Sequence, residues 1–352
     1  KLIKRCKSLE KKLSKLKDFP NQPLTDFSNQ ILVIEEIITG LNRIFIKNYE
    51  DIVWSKVKPW NNNYLLSLCC APKDVSGIIH DAFFARENGT VLCSATLELN
   101  NSFDFINQSV GLTDSQQLER TAVQNFGSPF HYADQVDLWA IDSQQSITSP
   151  QFIEEMGEQL GKLISHTQKR MLVLCTSYEQ VKIVSRQVNR ILKEKNRKVF
   201  SQTVGQNRRA LIRGFNQTPQ SVLIGTMSFW EGVDFPGEMV EILVILKIPF
   251  DNPDDPVLIS EIKNYKKRNQ NPFMEYQVPS AAVKFKQGFG RLIRSMTDTG
   301  VCILTDPRLV NKRYGKFILD SLPLQHKTFN DMDEIVRKSV YLNNSGVAHE
   351  IH

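Results

Sequence analysis

The chain has 352 residues, 41% of them hydrophobic and 23% charged, enough for two or three domains with sizeable cores and ordinary for a soluble globular protein. No uninterrupted apolar run approaches the roughly 18 residues that a membrane span needs. The basic stretch Lys1 to Asp18 lacks the apolar region of a signal peptide, so a cytoplasmic protein with no membrane contact is expected. The net charge of +6 permits an anionic partner without requiring one, and the six cysteines include no C-x2-C pair, so free thiols are expected and no zinc or iron–sulfur framework can be read.

In chain order, Leu2, Cys6, Leu9, Leu13 and Leu16 recur in steps of four and three, the spacing of one helical face. A chain that opens on Lys1, inside such a helix, reads as a fragment of a longer polypeptide; removal of an initiator Met is the alternative. Asp26 or Ser28 is the expected cap of a second helix through Ile31, Ile34, Ile37, Ile38 and Leu41, so residues 1–75 are expected to be mainly helical. From Ser76 onward short β-rich runs alternate with helices. Strands are predicted at 90–94, 171–176, 198–201, 221–226, 242–248 and 301–305, mostly as continuous apolar runs suited to burial on both faces. Helices are predicted at 149–166, 177–194, 207–216 and 279–294, and 252–255 is a Pro/Asp loop. The alternation predicts an α/β fold around a parallel sheet.

Three segments carry candidate chemistry. Gly225-Thr226-Met227-Ser228-Phe229-Trp230-Glu231-Gly232-Val233-Asp234-Phe235-Pro236-Gly237 follows the apolar run Val222-Leu223-Ile224, and α/β folds place ligands at such carboxyl ends. Glu231 and Asp234 are its carboxylates; the segment also reads as a tight strand-to-helix turn with solvated acids. In Gln287-Gly288-Phe289-Gly290-Arg291-Leu292-Ile293-Arg294, a helix would put Gln287, Arg291 and Arg294 on one face. Guanidinium groups bind phosphate oxygens bidentately, which suits a phosphate site; a solvated basic face is the alternative. Val91-Leu92-Cys93-Ser94-Ala95-Thr96-Leu97 ends an apolar run in small hydroxyl residues that suit either a hydrogen-bond relay or a helix cap.

Taken together, these segments resemble the DinG/XPD family of superfamily 2 helicases over roughly residues 75–325. Ser94-Ala95-Thr96 is similar to motif III, Leu174-Cys175-Thr176-Ser177-Tyr178 to motif IV, Gly225 to Gly237 to motif V in its DinG wording, and Gln287 to Arg294 to motif VI, with Asp306-Pro307-Arg308 following as in the family. The resemblance implies a RecA-like parallel-sheet domain, helicase domain 2, at 149–325. It would be preceded by a mainly helical end of an Arch-like insertion at 1–75 and a remnant of helicase domain 1 at 76–148, and followed by a tail at 326–352.

It also implies roles. Arg291 and Arg294 would reach the ATP γ-phosphate, with Gln287 facing the same cleft. Glu231, Gly232, Asp234 and Gly290 would line it. Thr176 and Ser177 would donate to nucleic-acid phosphates, and Ser94 and Thr96 would couple the two sites. Arg208 and Arg209, with Lys182, Arg186 and Arg213, are further candidate strand contacts, although such charges also read as solvated helix faces.

Neither a Walker A loop nor a DEAH box is present. Gly157-Glu158-Gln159-Leu160-Gly161-Lys162-Leu163 has one residue too few between its glycines, Leu in place of Ser or Thr, and a position inside a predicted helix. By family order those parts, and any iron–sulfur cysteines, would precede residue 1. ATP and Mg²⁺ would be held mainly by that missing N-terminal part of the same polypeptide, and the chain alone is expected to be inactive. The leading expectation is the C-terminal motor portion of an ATP-dependent DNA helicase moving on single-stranded DNA. The alternative is a nucleic-acid-binding module without its own ATPase activity, in a parent that carries a 3′–5′ exonuclease domain in some relatives. A repair or transcription scaffold is a third reading, by analogy with XPD. No sequence feature assigns an oligomeric state.

Overall fold

The computed structural model describes residues 4–5, 7–8, 11–12, 24–45, 51–60, 63–85, 89–113, 119–143, 145–147, 149–193, 195–226, 229 and 240–339. The apolar face expected at Leu2, Cys6, Leu9, Leu13 and Leu16 lies outside them. The chain divides into two compact units, one of residues 1–90, 109–111 and 252–270, the other of residues 91–108, 112–251 and 271–352.

The first unit contains the helix Leu24–Phe45, which starts ahead of both expected caps, Asp26 and Ser28. An antiparallel hairpin follows, of β1 (Asp51–Trp60) and β2 (Asn63–Pro72), paired in register from Asp51 opposite Pro72 to Trp60 opposite Asn63. It corrects the expectation that 1–75 is mainly helical. The β-branched and aromatic residues Ile52, Val53, Trp54 and Val57 favour a pleated strand over a helix. Arg43, in the last turn of the helix, grips Asp51 at the start of β1 through Nε at 2.9 Å and a terminal nitrogen at 2.5 Å. The Pro/Asp loop ends as a cap: Asp255 accepts from the amides of Val257 and Leu258, and Pro256 opens the helix Pro256–Lys267.

The second unit is built on a seven-stranded sheet in the order β5-β6-β4-β7-β8-β3-β9, every neighbouring pair parallel. Its strands are β3 (Val136–Ile141), β4 (Met171–Leu174), β5 (Val199–Ser201), β6 (Val222–Gly225), β7 (Ile242–Ile245), β8 (Gly300–Leu304) and β9 (Lys327–Phe329). β3 and β9 lie outside the 149–325 span, and β9 is followed by the helix Met332–Ser339.

Side chains alternate across the sheet with period two. Leu172, Leu174, Leu223, Leu243, Ile245, Cys302 and Leu304 enter one core, closed by the helices Arg208–Gln217, Val278–Phe289 and Arg313–Leu319. Met171, Val173, Val222, Ile224, Ile242, Val244, Val301 and Ile303 enter the other, closed by the helices Pro150–His166, Tyr178–Ile191 and Met332–Ser339. The result is three layers, helix–sheet–helix. Gly161 is needed at the contact of two of those helices, because a Cβ there would sit 2.7 Å from Ile191 Cδ1. That requirement accounts for the glycine in the segment nearest to a phosphate loop.

Ser149, Ser177 and Asn207, the first residues of three predicted helices, turn out to be their caps. Residues 90–94 correct another expectation, since they form no strand. Val91 is 89% exposed and Leu92 46%. An apolar run becomes a buried parallel strand only where neighbouring strands accept its hydrogen bonds, and among the described residues none pairs with this one.

Candidate nucleotide and nucleic-acid site

All the described candidates belong to the second unit. The connection after β4 leads to β5 on one side of the sheet, and the connection after β7 leads to β8 on the other. Ligands of open α/β sheets bind outside the carboxyl ends of strands at such a reversal. The residues there are Cys175, Thr176 and Ser177 after β4, Thr226 after β6, Lys247 after β7 and Asp306 after β8.

Thr176 and Ser177 double as helix-capping groups. The Ser177 hydroxyl accepts from the Gln180 amide at 3.2 Å and keeps its own proton for another acceptor. Thr176 donates its hydroxyl and its amide to Gln180 Oε1, at 3.1 and 3.0 Å. Beside them Tyr178 is 43% exposed, while its hydroxyl accepts from Gln202 Nε2 at 3.3 Å. Gln202 is buried, and its carbonyl oxygen accepts both the amide and the hydroxyl of Thr226, at 2.7 and 2.9 Å. The carboxyl ends of β4, β5 and β6 are thus linked by one amide side chain. Sequence reasoning gave Tyr178 no role of its own within motif IV and missed Gln202, which lies in neither a charged nor a Gly-rich stretch. Burial pushes the Cys175 thiol up to about 12, so it is inert at neutral pH.

Gly225 is demanded by packing: a Cβ would lie 2.4 Å from a ring carbon of Phe229. Phe229 is fully buried in the first core and anchors the start of the glycine-rich segment. Glu231, Gly232 and Asp234 lie outside the described residues.

The motif at 287–294 departs from its expected form. The helix ends at Phe289, and Gly290 is its C-cap, so Arg291 and Arg294 do not share a helical face with Gln287. The Arg291 amide donates to the Gly288 carbonyl at 3.1 Å, the Leu292 amide to the Phe289 carbonyl at 3.0 Å, and the chain then turns. Beyond the turn Leu292 and Ile293 both enter the core, at 1% and 3% exposure, while the flanking arginines stay half-buried. The Gln287 side-chain oxygen is buried and has no hydrogen-bond partner among the described residues, a cost unless a ligand or water meets it.

One strand over, Asp306 is buried and accepts from the Ile248 amide at 2.9 Å and from Arg308 through its amide, Nε and a terminal nitrogen, the last at 2.7 Å. Burial alone would lower the Arg308 guanidinium, but the hydrogen bonds and charge of Asp306, with Tyr314, raise it. Burial, only partly offset by Asp306, lowers Lys247, which donates to the Ile147 carbonyl.

Arg208 and Arg209 are exposed in the first turn of their helix, where Asn207 caps the Arg209 and Ala210 amides. Cations at a helix N-terminus oppose its dipole, so this placement favours an anion in front of them. Of the other candidates, Arg186 pairs with Glu154 at 2.7 Å. The hydroxyls of Ser94 and Thr96 lie 3.2 Å apart, and the Ser94 hydroxyl also accepts from the Thr96 amide. Lys286, on the helix before Gln287, donates to the Glu98 carbonyl at 3.3 Å and joins this hydroxyl segment to the arginine motif.

Residues 160–325 match the helicase C-terminal domain family. The chain is 30% identical over 320 residues to the 3′-5′ exonuclease DinG of Bacillus subtilis, covering 90% of this chain and 34% of that protein. It is 33% identical over 253 residues to the ATP-dependent DNA helicase YoaA of Haemophilus influenzae, covering 72% and 38%. It is 31% identical over 309 residues to the ATP-dependent helicase DinG of Mycobacterium tuberculosis, covering 85% and 45%. The chain therefore spans about a third to under half the length of these relatives. Among solved structures, an XPD helicase superposes with a TM-score of 0.56 at 18% identity, over 91% of this chain and 56% of that one, a likeness of fold.

Proposed function

Since the chain belongs to the DinG/XPD-like superfamily 2 helicases and carries their C-terminal helicase domain, we propose that it is the second motor domain of an ATP-driven translocase on single-stranded DNA. The observation that carries this reading is the pair of half-buried arginines, Arg291 and Arg294, held on either side of a buried Leu292-Ile293 step. Two guanidiniums on one short segment, which also carries the Gln287 side-chain oxygen, buried with no hydrogen-bond partner among the described residues, fit the charge that builds on a transferring γ-phosphoryl group.

In this reading ATP with Mg²⁺ supplies the phosphoryl group, cradled by a Walker-type domain elsewhere in the same polypeptide. Arg291 and Arg294 approach it when the two motor domains close. Gln287 and Gly290 border the cleft, together with Glu231, Gly232 and Asp234. Thr176 and Ser177 meet strand phosphates beside Tyr178, whose ring offers a stacking face. Arg208 and Arg209 add charge along the same strand, and Ser94 and Thr96 relay the state of the cleft to it.

In the full-length protein, Arg291→Ala and Arg294→Ala are each expected to lower DNA-stimulated ATP turnover by about 10³-fold or more. Single-stranded DNA affinity should stay near wild type. Wild-type turnover in either variant removes that arginine from the site. A second reading, a nucleic-acid-binding module in a parent that also cleaves DNA, is favoured by the cationic helix start at Arg208 and Arg209 and by the name of the Bacillus relative. Absence of ATP hydrolysis by the full-length protein, with single-stranded DNA bound, would select it.

A further inference from the structure

We propose that Gln135 and Asp298 are positioning residues for Arg294, two buried side chains that lock the turn on which this arginine stands. The proposal rests on the assignment of Arg294 to the γ-phosphate.

After the buried Ile293 the chain leaves the core in a turn whose tip, Ser295-Met296-Thr297, is exposed. Met296 is 56% exposed, so the turn has little apolar burial of its own to hold its shape. Hydrogen bonds hold it instead. The amides of Arg294 and Ser295 converge on a single carboxylate oxygen, Asp298 Oδ2, at 2.8 and 3.1 Å. The Ser295 hydroxyl donates to the other oxygen, Asp298 Oδ1. The carbonyls of Ser295, Met296 and Asp298 converge on one amide nitrogen, Gln135 Nε2, at 3.1, 3.3 and 2.8 Å. Asp298 is 7% exposed and Gln135 6%. Two side chains thus bind two amides, one hydroxyl and three carbonyls of the turn.

Gln135 comes from far away in sequence, and its own placement is tight. It ends the short helix Tyr132–Gln135, which runs directly into the buried strand β3. Tyr132 packs in a tilted contact against Phe289, the last residue of the helix that precedes the arginines, with ring centroids 5.7 Å apart. The clamp is therefore referenced both to the central sheet and to the end of that helix. Holding the Arg294 amide and the following peptide fixes the direction of the arginine's Cα–Cβ bond. A cation that stabilises a transferring phosphoryl group contributes most when it arrives already aimed.

The test compares Asp298→Ala, Gln135→Leu, Arg294→Ala and the Asp298→Ala/Arg294→Ala pair in the full-length protein. It uses a radiolabelled ATP assay at saturating single-stranded DNA, sensitive enough to read residual rates. Asp298→Ala and Gln135→Leu should each lower kcat by about tenfold to a hundredfold, with little change in the KM for ATP or in DNA affinity. The double variant should be no slower than Arg294→Ala alone, because the clamp acts only through that arginine. Amide hydrogen exchange at Arg294 and Ser295 should accelerate in both clamp variants. Should Asp298→Ala fail to fold, Asp298→Asn, which keeps the shape and one acceptor oxygen, and Gln135→Leu decide. Wild-type turnover in Arg294→Ala overturns the arginine assignment and the clamp with it. Loss in Arg294→Ala with wild-type kcat in the folded clamp variants, or an additive further loss in the double variant, overturns the clamp alone.

Discussion

The hairpin of the first unit and the sheet of the second are made from similar residues in opposite surroundings. Val57, Tyr64 and Leu66 on the hairpin are 61%, 77% and 61% exposed, whereas Met171 to Leu174 and Val222 to Ile224 in the sheet are all 0% exposed. An antiparallel pair completes only half of its backbone hydrogen bonds and buries nothing by itself. A parallel strand with helices on both faces is covered on every side. The contrast shows that apolar content marks a need for neighbours, while the neighbours themselves come from topology. The same contrast explains residues 90–94, which are as apolar as many sheet strands and remain open and unpaired among the described residues.

Substitutions can break that comparison in graded fashion. Phe285 is fully buried in the first core, so Phe285→Ala is expected to cost about 3–5 kcal/mol in denaturant unfolding of the second unit. Leu66→Ala on the hairpin should change stability by no more than about 0.5 kcal/mol; a loss comparable to that of Phe285→Ala would mean that the hairpin is covered in solution. Gly225→Ala forces the Phe229 ring aside and should cost about 1–3 kcal/mol, with faster hydrogen exchange at the Phe229 amide, which donates to the Thr226 carbonyl. Unchanged exchange there would separate the glycine from the anchoring of its loop.

The smallest effect is expected at the Arg43–Asp51 pair, which ties the hairpin to the helix Leu24–Phe45. Hydrogen bonding to Arg43 holds the Asp51 carboxyl below the usual carboxylate range. A depressed acid stabilises the fold above its unfolded pKa and loses that contribution as pH falls through the folded value. Acidification below the ordinary carboxylate range should therefore loosen this pair, and Asp51→Asn should abolish that part of the pH dependence. An identical acid profile in the variant would show that the pair contributes nothing.

Most of the second unit was legible because its signals are local. Six of the apolar or β-branched runs were readable as strands, and five of them are strands of the sheet. The helices predicted from Ser149, Ser177 and Asn207 begin there, with those residues as side-chain caps. β3 and β9 were not legible, since Val136 to Ile141 carries Asp137 and Trp139 within it and Lys327 to Phe329 is only three residues long. The arginine motif also departs from its spacing, which suggests a helix through Arg294; the helix ends at Phe289 with Gly290, a poor helix former, as its C-cap.

By itself the sequence determined the fold class, the family resemblance and the position of the arginine motif, because periodicity and short motifs are written within a few residues of one another. Only the tertiary structure decided how those arginines are carried. Gln135 and Asp298 meet across 163 positions to hold one turn, and Gln202 links the ends of three strands. Such links depend on which strands lie side by side. Sheet order is a property of long-range burial, and it leaves no trace in the local pattern of residues.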